Sequence, residues 1–367
     1  MAAKKSARKK PVVPKKASVK KPKLELNLAL QGGGAHGAFT WGVLDRILDE
    51  EDIQISGISG TSAGAMNAAV LVEGYNEGGR ARAKEQLREF WQEISTIATS
   101  FAPFGQTLPS DMVTQIPGTE WLSALNPLDM VTRVFSPYEY NPLNYNPLRS
   151  VLERVLQPEN LHKTIPLFVT ATNVETGEAR VFKGEEVTID VLLASACLPF
   201  VYQAVEIDGV PYWDGGYMGN PAIWPLIYKT GCEDVLLVQI NPLKRAGTPK
   251  HAIDIINRVN EISFNSSLIA EMRAIHFVQK LIKKGKLSSH EYSDMRIHRV
   301  MPPADLREMN AASKMNASWD FLNLLYKVGY KQMDDWLKAH KKHLGKSSTL
   351  DIEEHFLPKQ RTKGEST

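Results

Sequence analysis

Residues 53–72 read IQISGISGTSAGAMNAAVLV, an alternating apolar run followed by a tight glycine turn and a run of small residues. The first part predicts a β-strand and the last part a helix. Gly60, Ser62 and Gly64 form G-x-S-x-G at the junction. A serine on so tight a strand-to-helix turn points out of the sheet, and the flanking glycines let neighbouring backbone approach it. The stretch therefore predicts a nucleophilic serine, and the competing interpretation is a glycine turn whose serine caps the helix.

The preceding residues, 24–39, read LELNLALQGGGAHGAF. The apolar run predicts a strand that ends at Gln31, and apolar residues between Phe39 and Leu48 have helical spacing. Strand, glycine loop, helix, strand, tight turn and helix is the order of a parallel α/β sheet. Both loops would then lie at the carboxyl ends of strands, where open α/β sheets place their sites.

Three consecutive glycines in this first loop offer backbone N–H groups with no side chain in the way. Such a loop suits either a phosphate group or the oxyanion of a tetrahedral intermediate. A dinucleotide-binding loop is the alternative, because Gly32, Gly34 and Gly37 satisfy G-x-G-x-x-G and acidic residues follow at 49–51. That alternative leaves the serine turn one strand later unexplained.

A third feature lies at 210–226, which read VPYWDGGYMGNPAIWPL and place Asp214 before Gly215 and Gly216. A carboxylate at a glycine-bounded turn beside aromatic rings is partly desolvated, which makes it more basic. Such a group suits a general base for a serine hydroxyl, whereas alone it reads as an aspartate in a turn. A conventional triad would need a histidine instead, and His251 is the one placed to supply it.

The remaining sequence divides by composition. Residues 1–23 carry ten basic residues, no acidic residue and three prolines, which predicts a disordered basic arm. We assign 24–300 to a catalytic domain in which 99–147, rich in proline and aromatic residues, form a lid-like insertion or an ordinary packed excursion. Residues 301–367 are expected to form a helical C-terminal extension. Asn-Pro-Leu recurs irregularly, including at 241–243, and reads as a generic turn signal.

Overall composition excludes several classes of protein. With 367 residues, 43% of them hydrophobic and 23% charged, the chain can bury its own core and is not disordered throughout. Two cysteines, Cys197 and Cys232, cannot build a disulfide framework and fit a reducing compartment. The uncharged run at 53–72 is too rich in glycine and serine for a membrane span. Beyond the basic arm, 34 basic residues stand against 41 acidic ones, so the body is acidic.

Together these motifs resemble those of the patatin-like phospholipases. The chain has GGGAHG at 32–37, GTSAG at 60–64 and DGG at 214–216, in that order. The resemblance spans roughly residues 24 to 240, and LLASACLPFVYQAV at 192–205 is similar to the apolar segment that precedes the family's aspartate strand. More specifically, the chain resembles bacterial patatin-like proteins with a helical C-terminal extension. The implied fold is a three-layer α/β/α arrangement with a central, mostly parallel sheet and a nucleophile elbow.

The resemblance also implies a function, namely a serine lipid acyl hydrolase of phospholipase A or esterase type with a Ser-Asp dyad. Ser62 would attack the ester carbonyl, Asp214 would take its proton, and water would release the acyl group. The implied oxyanion hole consists of four glycines of the first loop, Gly32, Gly33, Gly34 and Gly37. The supporting motif residues are Gly60, Gly64, Gly215, Gly216 and His36. Neither a metal ion nor another cofactor is expected.

One residue departs from the family pattern, because the family often has arginine or lysine where this chain has His36. The number of donors near the oxyanion or a lipid phosphate would then depend on pH if that imidazole titrated near neutrality.

Several functions remain open at this point. The same dyad would serve an intracellular polyester depolymerase or a thioesterase, and a catalytically silent protein would act through its basic arm. We expect a lipid or acyl-ester substrate, a cytoplasmic location, and peripheral contact of residues 1–23 with an anionic membrane or granule surface. A nucleic-acid partner is not expected. A nucleotide-binding oxidoreductase is the most distant alternative.

Overall fold

The computed structural model describes residues 24–101, 135–250, 252–288, 291–307, 309 and 311–357. Within that part of the chain one sheet contains all eight strands, in the order β5-β6-β3-β2-β1-β7-β8, with β4 also paired to β3. The strands are β1 (Leu24–Leu30), β2 (Ile53–Gly60), β3 (Leu167–Asn173), β4 (Ala179–Lys183), β5 (Val205–Ile207), β6 (Val210–Asp214), β7 (Asp234–Val238) and β8 (Arg296–Val300). Five adjacent strands, in the order β3-β2-β1-β7-β8, run parallel. Strands β4, β5 and β6 add antiparallel pairs on the β3 side of the sheet.

Helices cover both faces of this sheet. They are α1 (Gly37–Leu48), α2 (Ala63–Phe101), α3 (Pro137–Tyr140), α4 (Pro147–Val155), α5 (Ile189–Ser195), α6 (Trp224–Lys229), α7 (Ala252–Lys283), α8 (Ala304–Arg307), α9 (Trp319–His340) and α10 (Ile352–Phe356). Helix α2 is broken at Gly78 and Gly79, where the backbone leaves helical geometry. The predicted fold class, a three-layer α/β/α arrangement with a mostly parallel sheet and added C-terminal helices, is confirmed.

Strand β1 shows why the sequence folds this way. Its side chains alternate between the two faces: Leu28 and Leu30 pack into the core beneath α1 and α2, whereas Ala29 belongs to the core beneath α7. All three are fully buried. A strand covered on both sides needs apolar residues at successive positions, which explains the nearly continuous apolar run in its sequence.

Sheet topology brings the three motifs to one place. The glycine loop follows β1 and the serine turn follows β2, and these strands are parallel neighbours with Leu30 opposite Gly60. Strand β6 runs antiparallel to β3, so it returns into the sheet and places Asp214 opposite Ala171. One strand, β3, therefore separates the aspartate from the serine turn in the sheet.

The C-terminal helix α9 packs directly on α1. The two helices approach so closely at Gly42 and Gly329 that a Cβ atom on either would clash with a backbone carbonyl oxygen of the other helix. Around this crossing the rings of Trp41 and Tyr326 lie 4.2 Å apart between centroids. Helix α9 is thus part of the main core, although the domain boundary predicted near residue 300 stays a prediction.

Replacing Gly329 with leucine is expected to lower the free energy of unfolding by roughly 3 kcal/mol, because the added side chain must push α9 away from α1. Urea denaturation measures this loss as a lower midpoint. Leu324→Ala is the matched control, since Leu324 lies on the same helix and is 48% exposed. A Gly329→Leu midpoint equal to that of the control would contradict the close approach of the two helices.

Two predicted segments cannot be compared with the structure in full. The basic arm, 1–23, lies outside the described residues, as do residues 102–134 of the insertion. The end of the insertion is described, and there the Tyr140 hydroxyl donates to the carbonyl oxygen of Val201 at 2.7 Å. Strand β8 lies within the predicted catalytic domain and was not among the strands predicted from the sequence. In the described part of the chain, no helix is both long and apolar enough to cross a bilayer.

Candidate active site

The serine turn forms a tight corner between β2 and α2. Ser62 adopts a left-handed backbone conformation, with φ of 53°, which costs a residue other than glycine about 1–2 kcal/mol. The corner is held by the amide of Gly64, which donates to the carbonyl oxygen of Thr61 at 2.9 Å. A Cβ atom on Gly64 would collide with the carbonyl oxygen of Leu30, so only glycine lets β1 and the new helix lie this close. This is the geometry that a nucleophile elbow requires.

Asp214 ends β6 with its carboxyl group buried beside this corner. The Ser62 side chain lies close enough to the Asp214 carboxyl group to affect its pKa, and the Gly216 amide donates to its Oδ1 at 2.6 Å. Burial raises the pKa of Asp214 to about 7, although the interactions with Gly216 and Ser62 oppose the rise. A carboxylate with this pKa is far more basic than an exposed aspartate and is suited to accept a proton near neutral pH.

The glycine loop lies directly against the serine. A Cβ atom on Gly32 would stand 2.7 Å from Cβ of Ser62, so this position requires glycine. Two of the four predicted oxyanion donors are already engaged: the amide of Gly32 donates to Oδ1 of Asn220 at 2.7 Å, and that of Gly37 to the carbonyl oxygen of Gly34. Among the described residues, none accepts a hydrogen bond from the amides of Gly33 or Gly34. The loop therefore offers two free donors rather than four.

His36 does not behave as a titrating group near neutral pH. Burial, together with the nearby positive charges of Lys314 and Arg245, lowers the pKa of its imidazole to about 4. Its Nε2 lies 2.8 Å from Oγ of Ser313. The condition for a pH-dependent donor, an imidazole that titrates near neutrality, is therefore not met. The ring is a neutral, buried contact between the glycine loop and Ser313.

Two residues that the sequence analysis gave no role fix the positions of the others. Oγ of Ser195, at the end of α5, accepts a hydrogen bond from the amide of Ser62 at 2.9 Å. Asn220, in the loop after Asp214, receives the Gly32 amide on its side chain and a bond from Nε2 of Gln31 on its carbonyl oxygen. Both side chains are fully buried. They connect the serine turn, the glycine loop and the aspartate loop into one unit.

Histidine chemistry finds no support in the described part of the chain. There, neither Ser62 nor Asp214 hydrogen-bonds to a histidine, and His251, the predicted triad candidate, lies outside the described residues. The buried His298 bonds to Asp234 and Thr349 instead, where it joins β7 and β8 to the C-terminal segment. Among the described residues, the site thus places a serine beside an aspartate and no histidine.

Comparisons with known proteins bear on this site. No curated protein sequence matches the chain. Among solved structures, VipD from Legionella pneumophila is similar, with a TM-score of 0.41 and 15% sequence identity over 92% of this chain and 73% of VipD. The family model of the patatin-like phospholipases matches residues 28–227, which is more than half of the chain and includes the glycine loop, Ser62 and Asp214. The chain therefore belongs to the patatin-like phospholipase family.

Proposed function

We propose that the chain is a serine lipid acyl hydrolase of phospholipase A or esterase type, in which Ser62 is the nucleophile and Asp214 the general base. Membership of the family supports hydrolysis of lipid esters. The observation that carries the finer proposal is the contact between the Ser62 side chain and the buried Asp214 carboxyl group at a strained strand-to-helix corner. The serine is thus held beside a base whose pKa matches the task.

Each step of the proposed reaction has a residue to perform it. Asp214 takes the proton of Ser62 as Oγ attacks the ester carbonyl carbon, and the amides of Gly33 and Gly34 stabilise the resulting oxyanion. The leaving alcohol takes the proton from Asp214. Water then enters, gives a proton to Asp214 and attacks the acyl-serine. Asp214 returns that proton to Oγ of Ser62 as the bond between Oγ and the acyl group breaks, which releases the fatty acid and regenerates both residues.

Apolar side chains exposed near these residues support a lipid substrate. Met218 follows the turn after Asp214, and Phe200 lies in the loop whose Cys197 carbonyl oxygen accepts a hydrogen bond from the Asp214 amide. The exposed fractions of Phe200 and Met218 are 60% and 41%. Such side chains suit contact with acyl chains and with the surface of a lipid aggregate.

The proposal is tested by treating the purified full-length protein with a fluorophosphonate and mapping the modified peptide by mass spectrometry. We expect covalent labelling of Ser62 in the wild type and none in Ser62→Ala. A correctly folded wild type that is not labelled would instead support the catalytically silent alternative.

Rates on different esters then define the substrate class. We expect release of fatty acid from dispersed phosphatidylcholine to exceed hydrolysis of a hydroxyalkanoate polymer or an acyl thioester. Faster hydrolysis of the polymer or the thioester, with Ser62 still labelled, would keep the dyad and replace the lipid by that substrate.

A further inference from the structure

A chain of hydrogen bonds connects a lysine of the C-terminal segment to the glycine loop. Nζ of Lys314 donates to Oδ1 of Asn241 at 2.8 Å, and Nδ2 of Asn241 donates to the carbonyl oxygen of Gly32 at 2.8 Å. Asn241 and Lys314 both lie beyond the residues that match the family model, 28–227. The glycine loop is thus supported by residues outside the segment that matches the family model.

The same segment contacts the loop at two further points. The carbonyl oxygen of Lys314 lies against Gly34, where an added Cβ atom would approach it to 2.5 Å. The neighbouring Ser313 places its Oγ 2.8 Å from Nε2 of His36. Three contacts therefore fix Lys314 relative to the loop, and its side chain is not a mobile surface group.

The charge of Lys314 is not neutralised by a direct ion pair in the described part of the chain. Glu261, whose negative charge acts on Lys314, is paired instead with Arg245 at 2.7 Å and Arg258 at 3.2 Å. Among the described residues, the Lys314 ammonium donates a hydrogen bond only to the neutral amide of Asn241. Its positive charge therefore acts on that amide and, through it, on the carbonyl group of Gly32.

The peptide between Gly32 and Gly33 transmits this polarisation from the carbonyl group of Gly32 to the N–H group of Gly33. The carbonyl of Gly32 and the N–H of Gly33 belong to one planar trans peptide and point in opposite directions. Because Asn241 holds the carbonyl, the N–H of Gly33 points away from Asn241, and no described residue accepts it. A peptide whose carbonyl accepts a hydrogen bond is polarised, so its N–H becomes a stronger donor.

We propose that Lys314 is a positioning residue for the oxyanion hole, which acts through Asn241 to orient and polarise the peptide between Gly32 and Gly33. The proposal rests on the proposed function, since the charge that this peptide meets is the oxyanion formed when Ser62 attacks an ester. Lys314 touches no reacting atom in this arrangement. Its effect falls on the transition state, where the negative charge develops, rather than on binding of the neutral ester.

Three substitutions at Lys314 separate charge from packing. We expect Lys314→Met to lower both kcat on phosphatidylcholine and the rate of Ser62 phosphonylation by a fluorophosphonate about tenfold, with KM changed less than about twofold. Lys314→Gln, which keeps a neutral donor, should fall between Lys314→Met and the wild type. Lys314→Arg, which keeps the charge, should recover most of the rate. A purely structural role would not order the variants by charge at equal thermal stability.

A double-mutant cycle tests the route through Asn241. We expect Lys314→Met combined with Asn241→Ala to be no slower than Asn241→Ala alone, because the lysine acts through that amide. Lys331→Met is the control, since Lys331 lies on the exposed face of α9 and pairs only with Asp335 among the described residues. A double variant whose rate falls by the product of the two single-variant factors would overturn the action of Lys314 through Asn241.

Thermal unfolding identifies the variants that fold, and Lys314→Gln replaces Lys314→Met in the cycle if the methionine variant does not. Folded Lys314 variants that are labelled at the wild-type rate would overturn the role of Lys314 and leave the proposed function intact. Absence of labelling in folded wild type would overturn the proposed function and this inference together.

Discussion

Ser62→Ala is expected to lower the release of fatty acid from dispersed lipid by roughly 10⁴-fold or more, because the proposed acyl-enzyme forms on the Ser62 hydroxyl oxygen. The fold should survive, since alanine removes only the hydroxyl and the corner is held by the backbone bond from Gly64 to Thr61. The left-handed conformation of residue 62 is equally strained in alanine. The measurement is titration of released fatty acid, with circular dichroism to verify the fold.

Ser266→Ala is the matched control for this substitution. Ser266 is an exposed serine on α7 whose hydroxyl bonds only to the carbonyl oxygen of Ser263 among the described residues. Its replacement should leave the rate unchanged. Activity retained in pure Ser62→Ala protein would count decisively against the serine mechanism.

Asp214→Asn is the second change with a large expected effect. An amide cannot accept the proton of Ser62, so we expect kcat/KM to fall by roughly 10³-fold, within the range for loss of a general base. The shape of the site is retained, because the Gly216 amide can still donate to the side-chain oxygen. Asp190→Asn is the control, since Asp190 is exposed on α5 and pairs with Arg149. A rate close to that of the wild type would assign the base to another group.

The pH profile of the wild type follows from the same carboxyl group. Asp214 must be ionised to act as a base, and burial raises its pKa to about 7. We therefore expect kcat/KM to rise with pH through about 7 and to level off above it. The residual rate of Asp214→Asn should lack this rise.

The free energy of unfolding should fall with increasing pH because of Asp214, whereas kcat/KM should rise. Above the ordinary pKa of 3.8, the unfolded chain releases this proton while the folded protein retains it until about pH 7. The folded state is therefore destabilised as pH increases across that interval. The midpoint temperature of thermal unfolding of Asp214→Asn should rise relative to that of the wild type as the pH increases from 4 to 8. A constant difference across this range would contradict a strongly raised pKa.

The residues proposed as reactive could be selected from the sequence because each belongs to a short local pattern. Ser62 stands in a strand-turn-helix motif, and Asp214 precedes two glycines at the end of a strand. Parallel strands place their loops at the same edge, which brought the glycine loop to Ser62 without knowledge of coordinates. The fold class was predicted from the order of strands, glycine turns and helices along the chain.

The supporting residues were not predictable, because nothing local distinguishes them. Asn241 lies in an Asn-Pro-Leu that reads as a turn, and its role comes from Lys314, which is 73 positions away in the chain. Ser195 contacts Ser62 across 133 positions. Strand β8 was missed because Arg296 and His298 look solvent-exposed in sequence, whereas both bond to Asp234 on β7.

The contact between Ser313 and His36 joins residues 277 positions apart, and this spacing bears on synthesis of the protein. A ribosome makes the glycine loop and Ser62 long before it makes the segment that contains Ser313. A nascent polypeptide thus carries its proposed nucleophile before the residues that support the glycine loop have been added.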